Sequence, residues 1–283
     1  MAAIMSSRIE TRPLSPNIGA EILGVDLSKP VDDGAVAAIL DVWHAYNVIL
    51  FRNQNLSEED QVRFTARFGE IGKVINQHAG VSKRLPGVIF ISNIKENGEL
   101  IGALPDGEMM FHSDQCYIEV PSAGTLLYAM EVPSRGGDTL FANMYKAYEA
   151  VPADLKAKLE GRKALNVYDY ANVPTHRGEA SKQAPRFAHP IFRIHPATGR
   201  KALYVNRLMT DHIVDMDRAE SDALLARLFD IAENPVWIYE HKWKVGDLVM
   251  WDNRCTLHAR SDFDASERRL MRRSVMLSGS PVV

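Results

Sequence analysis

Phe111-His112-Ser113-Asp114 sets an imidazole and a carboxylate two residues apart. On an extended strand, side chains two apart leave the same face, so His112 and Asp114 are expected to project toward one point. They would supply two ligands of a 2-His-1-carboxylate facial triad, which holds non-haem Fe(II) and leaves positions open for substrate and dioxygen. A His-x-Asp pair also arises by chance in any long chain, and alone it is a weak signal. His258 is the best third ligand, because it follows Gly246-Asp247-Leu248-Val249-Met250-Trp251-Asp252-Asn253-Arg254-Cys255-Thr256-Leu257, which reads as a strand, a turn and a return. The other histidines have plainer readings. His44 lies on a helix and His78 in a loop, His189 and His195 each precede a proline, and His176, His212 and His241 look like surface or satisfied polar positions.

A second feature is the basic strand Arg268-Arg269-Leu270-Met271-Arg272-Arg273. At period two, Arg269, Met271 and Arg273 share one face and Arg268, Leu270 and Arg272 the other. Arginines often line a solvated sheet edge, but the run Val275-Met276-Leu277 argues for partial burial. A buried guanidinium then calls for an anion. Arg269 and Arg273 stand roughly 13 Å apart at about 3.3 Å per residue, too far for one small dianion, so two anionic groups are expected. Cys116 and Cys255 read as small buried hydrophobes, with oxidation of a thiol near a metal centre as the sharper alternative.

The elements that must position these residues are mostly strands. Asp32 to Tyr46 reads as a helix with Val36, Ile39, Leu40 and Trp43 at helical spacing, followed by an apolar strand, Val48 to Phe51. Ser57 is the expected N-cap of a second helix, with Asp60 three residues on and Gly69 at its end. Short strands are expected at Val88–Ile91, Thr125–Met130, Thr139–Phe141, Ala202–Val205, Val236–Trp243, Asp247–Trp251 and Leu270–Leu277, with helices at Tyr145–Leu159 and Arg218–Ala232. Polar stretches at 95–110 and 168–185 suit lids or binding loops. The pattern favours a sandwich or closed roll of antiparallel strands, in a single domain spanning 1–283.

Composition narrows the function classes. The chain has 283 residues, 46% hydrophobic and 24% charged, which excludes collagenous and wholly disordered chains. Its 33 Lys and Arg against 36 Asp and Glu give a net charge of −3, so no nucleic-acid or membrane partner is expected. Two cysteines form no disulfide framework, no N-terminal apolar h-region is evident, and a reducing cytoplasm is the default location. A homo-oligomer, dimer or tetramer, stays open.

With these motifs in view, the chain resembles the taurine dioxygenase and 2,4-dichlorophenoxyacetate dioxygenase family of Fe(II)/2-oxoglutarate-dependent oxygenases. The carriers are Phe111-His112-Ser113-Asp114, the run Val132 to Phe141, His189-Pro190, His195 to Arg200, Gly246 to Arg254, His258, and Arg268-Arg269 with Arg273. The resemblance implies a mostly β fold with flanking helices around a double-stranded β-helix, a jelly-roll, cupin-like core. It implies that His112, Asp114 and His258 bind Fe(II), that Thr139 and Arg269 meet the two ends of 2-oxoglutarate, and that Arg273 takes the substrate's acidic group. Dioxygen is the remaining co-substrate, and succinate and carbon dioxide are released as a small anionic organic substrate is hydroxylated. Candidates are aryloxyalkanoates and other carboxylates, sulfonates, sulfate esters and phosphonates. Related enzymes build the rest of the pocket from segments that here supply Lys73, Asn76, His78 and Asn93. The family usually carries tryptophan where this chain has Phe111, and taurine-type enzymes place histidine near Lys73, which weakens a taurine or alkylsulfonate reading.

Two rivals are weighed against this. A zinc hydrolase would leave Thr139 and the paired arginines without a role. A cupin-like binding protein that has lost catalysis conflicts with the presence of all three ligands and Arg269.

Overall fold

The computed structural model describes residues 9–72, 85–102, 109–168 and 183–283. Burial along the strands decides the layers. All four residues of Val48–Phe51 are buried, yet they divide between two cores. Val48 and Leu50 pack with Leu127, Val249 and Met271, whereas Ile49 and Phe51 pack with Leu126, Leu248 and Met250 under Ile39, Trp43 and Phe64. An uninterrupted apolar strand is what burial on both faces demands.

That strand belongs to a seven-stranded sheet ordered Thr11–Pro13, Ala20–Ile22, Val48–Phe51, Leu248–Asp252, Ser122–Glu131, Leu270–Leu277 and Val88–Ser92. All neighbours are antiparallel except Ala20–Ile22 with Val48–Phe51. A four-stranded sheet, ordered Ile238–His241, Thr139–Asn143, Thr256–Arg260 and Met109–His112, lies opposite it. Phe141 from this smaller sheet joins Trp251, Leu127 and Met271 in the core between the two. Ala142 and Leu257 point the other way, into a core closed by the helices Met144–Ala150, Ala153–Leu159 and Arg218–Ala232. Two facing antiparallel sheets with helices outside form the expected jelly-roll core.

The helix termini follow side-chain chemistry. Asp32 caps Asp33–Tyr46 by accepting from the Ala35 N–H, and Asn47 ends it in a left-handed conformation, φ 66°. Ser57 and Asp60 form a reciprocal capping box on Glu58–Thr65. This second helix stops at Thr65, short of the expected Gly69, because Arg67 and Phe68 donate to carbonyls three residues back and tighten the last turn. The expected helix Tyr145–Leu159 is two helices, broken at Val151-Pro152, where proline has no N–H to continue the ladder. The expected strand Val236–Trp243 is shorter, since Pro235–Trp237 forms a 3₁₀ turn capped by Asn234 before Ile238–His241. Within the stretch anticipated as a lid, Lys95–Glu96 and Glu99–Leu100 pair as a small hairpin, and 103–108 and 169–182 lie outside the described residues.

Candidate metal centre

Register brings the two histidines together. His258 pairs with His112 on one side and with Phe141 on the other, so it faces inward beside Phe141. The two imidazoles lie 4.1 Å apart between ring centroids. The strand Met109–His112 ends at its histidine, and Asp114 arrives from a turn rather than from the pleat. Gln115 takes a left-handed φ of 57° to make that turn, and the Ser113 hydroxyl donates to the Asn253 carbonyl at 2.8 Å. The expected juxtaposition holds, but the extended geometry assumed for it does not. One ligand atom each of His112, Asp114 and His258 lies within 4.8 Å of the others.

The remaining bonds leave the right atoms free. His112 Nδ1 lies 2.9 Å from the Met110 carbonyl, which fixes the proton there and presents Nε2 unprotonated. Asp114 Oδ2 accepts from the Thr125 hydroxyl at 2.6 Å and from Arg273 Nη2 at 2.8 Å, so Oδ1 is left, 3.9 Å from His258 Nε2. Burial, followed by the charge of its neighbour His112, pushes His258 well below its ordinary pKa. Burial likewise lowers His112, against the pull of Asp114. Burial alone would raise Asp114, but Arg273, His258 and His112 together hold it below the usual carboxylate range. Two neutral imidazoles and one ionised carboxylate are the donor set that a divalent ion requires.

A second ring of polar side chains supports this carboxylate. Asn253 Nδ2 donates to Thr125 Oγ1 at 2.9 Å, which aims the threonine proton at Asp114, and Trp251 Nε1 donates to Asn253 Oδ1 at 2.9 Å. Neither Thr125 nor Asn253 was anticipated; the run Trp251-Asp252-Asn253-Arg254 was the only signal in the sequence that pointed here.

Deeper along the inner face stands Thr139, two residues from Phe141 on the same strand and therefore roughly 7 Å from the histidine register. Its hydroxyl accepts from Trp243 Nε1 at 3.0 Å. Arg269 is 1% exposed, donates from Nε to the Gly137 carbonyl at 3.3 Å, and has no partner at Nη1. Gly137, φ 65°, admits it: a Cβ there would meet Arg269 Nε at 3.2 Å. Burial, then the charge of Arg260, pushes the Arg269 pKa down to about 9.

One arginine does not follow the expectation. Arg272 is buried without an anion; Gln61 Oε1 and the carbonyls of Leu56 and Ser57 accept from it at 2.7–2.8 Å, and it lies over the Tyr128 ring. Neutral oxygens thus suffice for one buried guanidinium, and the bond network ties the helix Glu58–Thr65 to the strand. Arg273 pairs with Asp114 itself. Asn93 is also engaged elsewhere: its amide donates to the Glu267 carbonyl at 2.8 Å and its oxygen accepts from the Arg269 N–H at 2.9 Å. It holds the chain leading into the arginine strand, so its side chain is committed to the protein and not to a substrate. Lys73, Asn76 and His78 lie outside the described residues.

His44, His195 and Asp252 form another cluster with metal-like spacing. The lone pairs of two of its members are spent. Asp252 accepts from the backbone N–H, Nε and Nη2 of Arg254 and from His195 Nε2, while His195 Nδ1 accepts from the Ala197 and Thr198 N–H groups. Cys116 and Cys255 are free and buried, and burial pushes the Cys116 thiol up to about 12, in keeping with small packed hydrophobes.

A family profile, Taurine catabolism dioxygenase TauD, TfdA family, matches residues 10–275. The chain belongs to this family of Fe(II)- and 2-oxoglutarate-dependent dioxygenases. It is 33% identical over 291 residues to the (S)-phenoxypropionate/alpha-ketoglutarate-dioxygenase of Sphingobium herbicidovorans, covering 98% of this chain and 97% of that one. It is 33% identical over 288 residues to the alpha-ketoglutarate-dependent 2,4-dichlorophenoxyacetate dioxygenase of Cupriavidus pinatubonensis, covering 97% and 99%. Among solved structures, AAD-2 in complex with Mn(II) and N-oxalylglycine superposes with a TM-score of 0.86 at 29% identity, over 97% of this chain and 99% of that one. Among the described residues no helix is long and apolar enough to cross a membrane.

Proposed function

We propose that this chain is a single catalytic unit, cytoplasmic, that oxidises a small amphipathic organic anion, with aryloxyalkanoates the leading class. His112 Nε2, Asp114 Oδ1 and His258 Nε2 would hold Fe(II), which together with 2-oxoglutarate supplies the oxidising power when bound. Thr139 and Arg269 bind the co-substrate. The Arg269 guanidinium presents an unpaired Nη1 to the distal carboxylate in a setting that excludes water, where a charge-assisted pair is strong. Arg273 orients the substrate's acidic group while holding Asp114 Oδ2, so the same side chain fixes the ligand and the substrate.

The observation that carries this reading is the one free carboxylate oxygen between two neutral imidazoles, flanked by two arginines on one inner face. The substrate class rests on what stands beside Arg273. Tyr117 lies close enough to Asp114 and Arg273 for their charges to act on it, and its ring meets that of Tyr168 at 4.4 Å between centroids, tilted by 36°. Met109, Met110 and Leu208 pack in the same cluster. An aromatic, apolar wall next to a cation suits an anion with an aromatic body better than a compact polar sulfonate. The test is succinate release from 2-oxoglutarate with added Fe(II), across aryloxyalkanoates, alkyl sulfates and taurine. Coupled release that is greatest with the aryloxyalkanoates is expected. Release without any dependence on Fe(II), or coupling with taurine alone, refutes the assignment.

A further inference from the structure

Trp243 touches the co-substrate site without lining the metal. Its Nε1 lies 3.0 Å from Thr139 Oγ1, and both residues are buried. An indole N–H can only donate, so the threonine oxygen must accept. A hydroxyl carries one proton, and with this lone pair committed that proton is left to be aimed elsewhere. Among the described residues no side chain or carbonyl receives it.

The indole itself is held firmly. His241 meets its ring edge-on, 4.5 Å between centroids at 89°. His241 is bracketed by the Tyr239 hydroxyl at 2.9 Å and Asp247 Oδ2 at 3.1 Å, and Arg52 donates to Asp247 at 2.8 Å. The strand pairing His241↔Thr139 brings the segment that carries Trp243 alongside Thr139. On the far side, the Gly137 carbonyl bonded to Arg269 comes from the same short segment as Thr139.

We propose that Trp243 is a positioning residue for 2-oxoglutarate: its N–H sets the polarity of the Thr139 hydroxyl, which therefore donates to a co-substrate carboxylate oxygen and does not turn to accept. The inference rests on the reading of Thr139 and Arg269 as the co-substrate site. It makes donors of both side chains that meet the co-substrate, Thr139 and Arg269, matched to an anion.

The test is calorimetric titration of 2-oxoglutarate into Mn(II)-loaded protein, which requires no turnover. Trp243→Phe keeps the ring packing and removes the N–H; it is expected to weaken binding about threefold to tenfold, the worth of one neutral hydrogen bond. In a Thr139→Val background the same change should stay within about twofold, because the group it acts through is gone. Thr139→Ser, which restores the hydroxyl, should restore the sensitivity to Trp243→Phe. Equal losses in both backgrounds would show that Trp243 acts by packing and overturn the proposal, as would no loss in either. Wild type that binds no 2-oxoglutarate overturns the dioxygenase assignment as well. Wild type that binds normally while Thr139→Val loses nothing overturns only the role of Thr139 and this inference. If Trp243→Phe does not fold, the indole N–H resonance of wild-type Zn(II)-loaded protein decides: it should move when 2-oxoglutarate binds, and an unmoved resonance overturns the proposal.

Discussion

Replacing Arg269 with methionine separates two effects that one buried guanidinium combines. The side chain is 1% exposed, makes one hydrogen bond at 3.3 Å and leaves Nη1 unpaired. Burial and then Arg260 lower its pKa from 12.5 to about 9, with Asp138 pulling weakly the other way. The folded value therefore lies below the unfolded one, so the charged form is a net cost at neutral pH. That cost lessens as pH rises from about 9 toward 12.5, where the unfolded chain holds more protons. At about 1.4 kcal/mol per factor of ten, the cost is on the order of 5 kcal/mol at most. Exchanging a buried charge for an apolar side chain of similar length is expected to stabilise the ligand-free protein by roughly 1 to 4 kcal/mol. At about 2 to 4 °C per kcal/mol for a chain of this size, the melting temperature should rise by several degrees. Co-substrate binding should move the other way. Losing a charge-assisted pair worth about 1.5 to 3 kcal/mol weakens 2-oxoglutarate at least about tenfold. At a concentration 100 times the wild-type Kd, ligand stabilisation should fall from about 2.7 kcal/mol to about 1.4 or less. Melting curves with Mn(II), with and without 2-oxoglutarate, measure both effects on one preparation. A variant that melts several degrees lower and titrates normally would refute the reasoning, since Arg269 would then be a structural cation.

Three further outcomes are expected. His112→Ala and His258→Ala should each abolish turnover and Mn(II) binding while the far-ultraviolet circular dichroism stays native; near-normal turnover at micromolar Fe(II) in either variant removes the ligand assignment. Arg273→Ala should raise KM for the anionic substrate and uncouple succinate from product while 2-oxoglutarate affinity holds; an unchanged KM with a lowered melting temperature would mean that Arg273 serves only Asp114. Thr125→Val leaves Asp114 Oδ2 short of one donor and Asn253 Nδ2 with Ser122 Oγ as its remaining acceptor, so a loss of about 1 to 3 kcal/mol in stability and about 10- to 100-fold in metal affinity is expected. Calorimetry with Mn(II) checks it, and an affinity within error of wild type would show that Arg273 alone orients the carboxylate.

The strands legible in advance are those with an uninterrupted apolar or alternating pattern. Val48–Phe51 and Leu270–Leu277 appear with their expected bounds. Strands such as Lys163–Val167, Arg186–Pro190 and Thr210–Ile213 were not anticipated, because polar residues such as Asn166, His189 and Thr210 lie within them. Those residues are buried by mutual bonds, Thr210 donating to Asn166 and His189 facing the Ile118 carbonyl, and such satisfaction has no periodic signature. Asn93 shows the same limit from the other side: an amide beside the arginine strand looks available for substrate until its two backbone partners are seen.

The sequence by itself determined the chemistry on offer: three residues of metal-ligand type, a threonine, and arginines at a spacing that one small dianion cannot bridge. These depend on residue identity and order, and no packing can change them. Which atoms are free to act was decided only in three dimensions. Asp114 has one oxygen left because Thr125, from the next strand, and Arg273, distant in sequence, occupy the other. Arg272, one residue from Arg273, faces the opposite core and is satisfied by neutral oxygens of a helix some 200 residues earlier. His195 and Asp252 have metal-like identities and proximity, yet their lone pairs are consumed by Arg254 and two backbone amides. A hydrogen bond requires two partners at one place, and only the folded chain says which partners those are.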